Sequence, residues 1–147
     1  MVIDRAVIET LIPHSGAMCL LEEVIAWDDA AIHCVTSTHR DAQNPLRRDH
    51  QLSAVNAFEY GAQAAAIHGG LRARAAGETA PSCYLAAIRD ATLYVTRLDN
   101  LAEPLQVRAR IVFGERGNTV YECEVSAGGK PLAAGRVTIM ARTKRST

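Results

Sequence analysis

The stretch Ser53-Ala-Val-Asn-Ala-Phe-Glu-Tyr-Gly-Ala-Gln-Ala-Ala-Ala-Ile-His-Gly-Gly70 reads as one helix, rich in Ala and Gly, with Glu59 and Gln63 one turn apart. Ser53 is a candidate N-cap, with Asn56 where a capping box would place Glu or Gln. Gly69-Gly70 interrupts the pattern, which stops there or runs on toward Gly77, a stronger C-terminal signal. A helix of small residues can lie close against a sheet, and strand patterns follow it. The expected arrangement is therefore a sheet curled round this helix.

Downstream, residues 83–98 (with a bend expected at Arg89-Asp90), 104–116, 119–127 and 131–142 read as a four-stranded meander. Gly117-Asn118 and Gly128-Gly129 are hairpin signals between the last three strands. Val107, Ala109, Ile111 and Phe113 alternate with Arg108, Arg110 and Val112, and Tyr121, Cys123 and Val125 alternate with Glu122 and Glu124. Such alternation marks an antiparallel sheet covering a core on one side. Upstream, residues 4–11 suggest a short helix capped by Asp4 and ended by Pro13. Residues 17–27 and 31–38 suggest a hairpin turning at Asp28-Asp29, and residues 39–51 form a long polar loop that enters the central helix. The fold class expected is α+β, with about six antiparallel strands in one domain spanning residues 1–147.

The 16 basic and 16 acidic residues balance, so no global field favours nucleic acid or an anionic membrane. Cys19, Cys34, Cys83 and Cys123 are scattered without a CxxC pair, which argues against a metal site and fits a reduced, cytoplasmic protein. Residues 1–5 lack a signal-peptide apolar region, and no apolar run approaches the roughly 18–20 residues that span a membrane. No Gly-x-Ser-x-Gly elbow or phosphate-cradling glycine loop occurs.

This order of elements resembles the hotdog fold. Ile8-Glu-Thr-Leu-Ile-Pro-His-Ser-Gly-Ala-Met-Cys-Leu-Leu-Glu-Glu-Val24 is similar to the N-terminal segment of β-hydroxyacyl-ACP dehydratases, where a Leu-Pro-His loop feeds the first strand. Phe58-Glu-Tyr-Gly-Ala-Gln63 resembles their Glu-x-x-x-Gln helix motif, and Tyr84-Leu-Ala-Ala-Ile-Arg-Asp-Ala-Thr-Leu93 and Gly129-Lys130 match later strands. The similarity is greatest to dehydratase-like proteins of aryl-polyene clusters, which share Ile-Pro-His-x-Gly-Ala-Met-Cys-Leu-Leu and Asn-Pro-Leu-Arg-Arg-Asp. One departure stands out. Housekeeping dehydratases carry a catalytic histidine in a Gly-His-Phe-Pro loop, and this chain has Asn44-Pro-Leu-Arg-Arg-Asp-His-Gln-Leu52 instead.

The resemblance implies a 3-hydroxyacyl-ACP dehydratase, a hydro-lyase whose substrate rides on the phosphopantetheine of an acyl carrier protein, with no other cofactor and no metal. Dehydration needs a base for the α-proton and an acid for the departing hydroxyl, roles that suit an imidazole and a buried carboxyl group. Glu59, flanked by Phe58 and Tyr60, is the acid candidate; the plainer reading is an exposed helix glutamate. His14 is the first candidate base, against a structural loop histidine, and His50 is its rival, against a solvated loop residue. His33 and His39 are expected at the surface, and His68 on another side of the helix. Gln63, one turn from Glu59, could bond its carboxyl group, and with Asn56 at the helix start it is a candidate for substrate contact. Arg47 and Arg48 could meet a phosphopantetheine phosphate or an acidic carrier protein, or simply be solvated. A homodimer, or a heterodimer with a related subunit, is implied, with the site at the interface. The alternatives are a hotdog thioesterase and a non-catalytic partner subunit of an active dehydratase.

Overall fold

The computed structural model describes residues 3–12, 16–115 and 118–142. Helix α1 (Arg5–Leu11) begins where Asp4 caps it, the Asp4 carboxylate accepting a hydrogen bond from the Val7 amide at 3.1 Å. Strands β2 (Glu23–Trp27) and β3 (Ala31–Thr36) form the expected hairpin, closed by Asp28 Oδ1 accepting from the amides of Ala30 and Ala31. A two-residue strand β1 (Ile3–Asp4) adds to β2, so the sheet has seven strands where six were expected. Strand β2 is shorter than the apolar run over 17–27. Gly16–Met18 makes a 3-10 turn, and Cys19, Leu20 and Leu21 are apolar because they are buried, not because they pair in a ladder.

The central helix is α2 (Ala57–Ala75), entered through a 3-10 turn at Ala54–Asn56 that Ser53 caps through its hydroxyl. It passes straight through Gly69-Gly70 and ends at Gly77, whose φ of +74° suits glycine. There Gly77 N donates to Arg74 O and Glu78 N to Ala73 O, the Schellman arrangement that satisfies the last carbonyls.

Strands β4 (Cys83–Leu93), β5 (Leu105–Glu115), β6 (Asn118–Ala127) and β7 (Lys130–Ala141) complete an antiparallel sheet ordered β1-β2-β3-β5-β6-β7-β4. Gly128 and Gly129, with φ of +57° and +79°, form the two-residue turn between β6 and β7. The expected bend in β4 is real: its register with β7 shifts between Arg89 and Thr92, with Asp90 at φ +54°. The four-stranded meander is not. Strand β4 ends at Leu93 and pairs with β7, while β5 pairs with β3. The intervening segment is drawn under the entrance of α2, where Thr96 O accepts from Ala54 N and Leu98 N donates to Leu52 O. The sheet therefore wraps the helix, as the hotdog resemblance implies, and β1 and β4 are its free edges.

Val107, Ala109, Tyr121, Cys123, Val125, Val137 and Ile139 face inward and are buried, whereas Arg110 and Arg136 reach Glu122 on the outer face. Two glycines set how close helix and sheet come. A Cβ at Gly61 would lie 2.9 Å from Cys123 Sγ, and a Cβ at Gly135 would lie 2.8 Å from Cε1 of Phe58. Gly61→Val should therefore cost about 1–3 kcal/mol by overpacking, read as a lower urea midpoint at unchanged m-value. A midpoint equal to that of the parent would mean the helix does not sit this close to β6.

Candidate active site

Phe58 and Tyr60 are 2% and 0% exposed, with the Phe58 ring against Gly135, and their burial turns the intervening Glu59 outward. Glu59 lies in the first turn of α2, where a carboxylate is favoured by the helix dipole. It borders a crevice of about 50 Å³ whose other walls include Ile12, Gln63, Ala66, Tyr84 and Ile139. Residues of the free-edge strand β4 thus stand beside the carboxylate.

Gln63 shares that crevice, but its amide is spent elsewhere. Nε2 donates to Met18 O at 2.8 Å and Oε1 accepts from Leu20 N at 2.9 Å, so it anchors the segment before β2 and makes no hydrogen bond to Glu59. On the other side of Leu20, its carbonyl accepts from the hydroxyls of Thr36 and Thr38 at 2.7 and 2.6 Å. Thr38 Oγ1 lies 3.0 Å from the hydroxyl of buried Tyr60, which also accepts from Asn44 Nδ2 at 3.0 Å. Burial raises the Tyr60 pKa above the ordinary tyrosine value, so the phenol is neutral. One polar chain therefore ties the central helix, the segment before β2 and the long loop together. Sequence reasoning misses Tyr60 and Asn44 here; their only signal is a polar tip in an apolar helix and an Asn before Pro45.

The loop is also clamped from within. Arg47 donates to the carbonyls of Asp41, His50 and His39, and Arg48 to those of Pro45 and Arg47. Asp49 and His50 occupy left-handed conformations, φ +53° and +64°, in a tight turn closed by Arg48 and Gln51. His50 is exposed on that turn. Leu52 N, at the loop exit, donates to Asp99 Oδ1 at 2.8 Å, and Arg97 pairs with the same carboxylate. The Arg97 guanidinium holds the Asp99 carboxyl well below the usual carboxylate range.

His14 lies outside the described residues. Of the other histidines, none borders the Glu59 crevice. His39 is not at the surface as expected: it is 0% exposed and donates from Nε2 to Leu101 O at 3.0 Å. His68, equally buried, donates from Nε2 to Asp28 O and accepts at Nδ1 from the Tyr121 hydroxyl, both at 2.7 Å. Burial lowers the pKa of both rings, so these are neutral structural imidazoles. His33 meets Gln106 at 2.6 Å. Burial pushes the thiols of Cys34 and Cys123 up to about 12, which disarms them as nucleophiles. Among the described residues no group of side chains could hold a metal ion. Asn56 sits at the start of α2, its Nδ2 donating to Ser53 O at 3.2 Å. The structure thus joins Glu59 and Gln63 at one crevice and assigns Arg47 to holding the loop that carries His50.

The profile of the ApeP-like family, described as ApeP dehydratase, matches residues 6–147. A solved dehydratase heterocomplex, ApeI:P from Xenorhabdus doucetiae, is similar at 25% identity and a TM-score of 0.83, over 93% of this chain and 91% of that one. A putative thioesterase from Shewanella oneidensis (13% identity, TM-score 0.61, 95% and 94% covered) and a thioesterase mutant from Pseudomonas aeruginosa (16%, 0.56, 94% and 93%) share the fold. No curated protein matches the sequence.

Gln63→Leu should cost about 2–3 kcal/mol, because it leaves the buried Leu20 amide without its acceptor. Faster hydrogen exchange at that amide, with α2 amides unchanged, is the expected signature. Asp99 predicts a pH dependence. Its folded pKa is depressed, so its contribution is complete above the ordinary value of about 3.9 and is lost as pH falls below it. Asp99→Asn should lower the unfolding free energy by about 1–2 kcal/mol at neutral pH, read as a lower urea midpoint, and lose part of its acid sensitivity below about pH 4.

Proposed function

The chain belongs to the ApeP-like dehydratase family, and on that premise we propose that it eliminates water from β-hydroxyacyl thioesters carried on the phosphopantetheine arm of an acyl carrier protein. The observation that carries this reading is the placement of Glu59, turned outward by two buried neighbours onto a small crevice that also borders the free edge of the sheet. In the reaction, His14 takes the α-proton, the C–H electron pair becomes the new double bond, and the C–O bond breaks as Glu59 gives its proton to the leaving hydroxyl. Backbone N–H groups at the entrance of α2 would meet the thioester carbonyl as enolate charge develops. Arg48 stays exposed on the loop and is the proposed contact for an acidic carrier protein. A fatty-acid-like or aryl-polyene-type biosynthesis in the cytoplasm is the setting that fits.

The free edge supports a second hotdog subunit as partner. Strand β4 is 11 residues long, and Tyr84 and Ile88 on it are each 41% exposed, an edge that natural sheets cover. A chain added there would stand against the Glu59 crevice. No helix is long and apolar enough to cross a membrane among the described residues.

One observation favours a second reading, a non-catalytic subunit that stabilises an active partner: no described imidazole borders the Glu59 crevice. Reconstitution with the partner subunit separates the two. In the catalytic reading, Glu59→Gln and His14→Ala each lower the dehydration rate of a hydroxyacyl-ACP by about 10²–10⁴. His50→Gly keeps that rate and gains up to about 1 kcal/mol of stability, since glycine relieves the left-handed backbone at this position. Full dehydration by the Glu59→Gln complex would remove this chain from the chemistry and leave it the stabilising role.

A further inference from the structure

The outer face of the sheet carries an aromatic ring that the alternation of β5 would set inward. Phe113 follows Val107, Ala109 and Ile111 in step, yet it is 52% exposed. The register of β5 with β6 shifts between Ile111 and Phe113, a bulge that turns Phe113 to the other face. Its cross-strand partner is Val120, which precedes the inward, buried Tyr121 and so faces out as well. Thr138 and Ala87 continue this row across β7 and β4.

Two charged rows lie beside it. In one, Arg110 stands opposite Glu122, with Arg136 and Arg89 next across β7 and β4. In the other, Arg108 stands opposite Glu124, between His33 and Ala134. Strand by strand, then, β5 is basic, β6 acidic, and β7 basic again. A depression of about 780 Å³ lies over these rows, with Ala26, Ala31 and Ala134 among its walls. Asp28, Asp90 and His33 are the other titratable residues along it.

A uniformly acidic or uniformly basic partner would be repelled by every second strand of this face. A second copy of this chain would not. A twofold axis parallel to the strands and midway between β5 and β6 carries each β5 residue over its own row partner in β6 of the other copy. Arg108 then stands over Glu124, Arg110 over Glu122 and Phe113 over Val120, each pair formed twice by symmetry. The same rotation lays β7 over β3, so Arg136 meets the small Ala31 and the depression in place of a like charge. Sheets packed face to face keep their strands within about 30° of each other, so contact is closest beside the axis, where these three pairs lie.

We propose that the outer face of the sheet is an isologous interface between two copies of this chain, held by Phe113 on Val120 and by crossed Arg–Glu pairs of β5 and β6. It is separate from the β4 edge and does not depend on the dehydratase reading of Glu59.

Native mass spectrometry of the full chain with its partner subunit counts the copies of this chain in each particle. Arg108→Glu with Arg110→Glu makes both central strands acidic, and Glu122→Arg with Glu124→Arg makes both basic. Each double variant alone should halve the copies per particle and raise the dissociation constant about 100-fold or more, because like charges then face each other. Mixed in equal amounts, the two should restore the parental number with one of each in a pair, since every crossed contact again joins opposite charges. That rescue separates contact between copies from loss of fold. Glu122 also pairs with Arg110 and Arg136 within the chain, so Phe113→Glu, at an exposed position, carries the test where a charge variant fails to fold, and it too should halve the count. A parent with one copy per particle, parental counts in all the variants, or folded charge variants that fail to rescue each other overturns the proposal.

Discussion

Helix α2 can be wrapped by the sheet only because side chains are missing at the points of contact. Gly61 leaves space for the Cys123 thiol and Gly135 for the edge of the Phe58 ring, each at a separation that a Cβ would close below ordinary contact. Interiors packed at crystal-like density tolerate such approach without voids, and they pass any misfit on to neighbouring groups. The direction of Glu59 follows directly. Phe58 is seated against β7 and Tyr60 is fully buried, so the residue between them has only one way to face. The site is therefore a by-product of core packing, not of a polar network around the carboxylate.

Polar chemistry holds the surroundings instead. The main chain of Leu20 is bound on both sides, by Gln63 through its amide and by Thr36 and Thr38 through its carbonyl. From Thr38 the chain of bonds passes to Tyr60 and Asn44, and so into the loop that Arg47 clamps. Satisfied buried networks of this kind rigidify what they join. A long polar loop, which would otherwise be mobile, becomes a fixed neighbour of the central helix. The neutral, buried His39 and His68 belong to the same framework of support, bonded to main-chain carbonyls and not directed at the crevice.

Features governed by short-range rules are legible in the sequence. The Asp4 cap, the Gly128-Gly129 turn and the Gly77 helix end all follow from local spacing or backbone freedom, whereas Glu59, read as suiting a buried carboxyl group, is exposed. The failures share another cause. The run over 17–27 is apolar, but burial alone explains residues 19–21, and apolarity cannot distinguish a ladder from a buried connection. Strand β4 looks like the first strand of a meander because its partner β7 is remote in sequence. Arg47 looks like a binding group and His39 like a surface group because carbonyl oxygens, which every residue carries, are the partners of both. Sequence patterns report side chains, and here the main chain does much of the recognition.

The position of β4 in the sheet also sets an order of events during synthesis. Among the described strands it pairs with β7 alone, the last of them in chain order, from Cys83 with Ala141 to Leu93 with Ala133. Ile139, at the end of β7, completes the wall of the Glu59 crevice. Helix α2 therefore leaves the ribosome well before the surface that encloses it, and non-local closure of this sort is slow to form. In the interval the helix has the β2-β3 hairpin beside it but not the β7 wall of the crevice. The β4 edge is backed by its neighbour only once β7 has been added, so any chain that pairs with this edge must wait for β7.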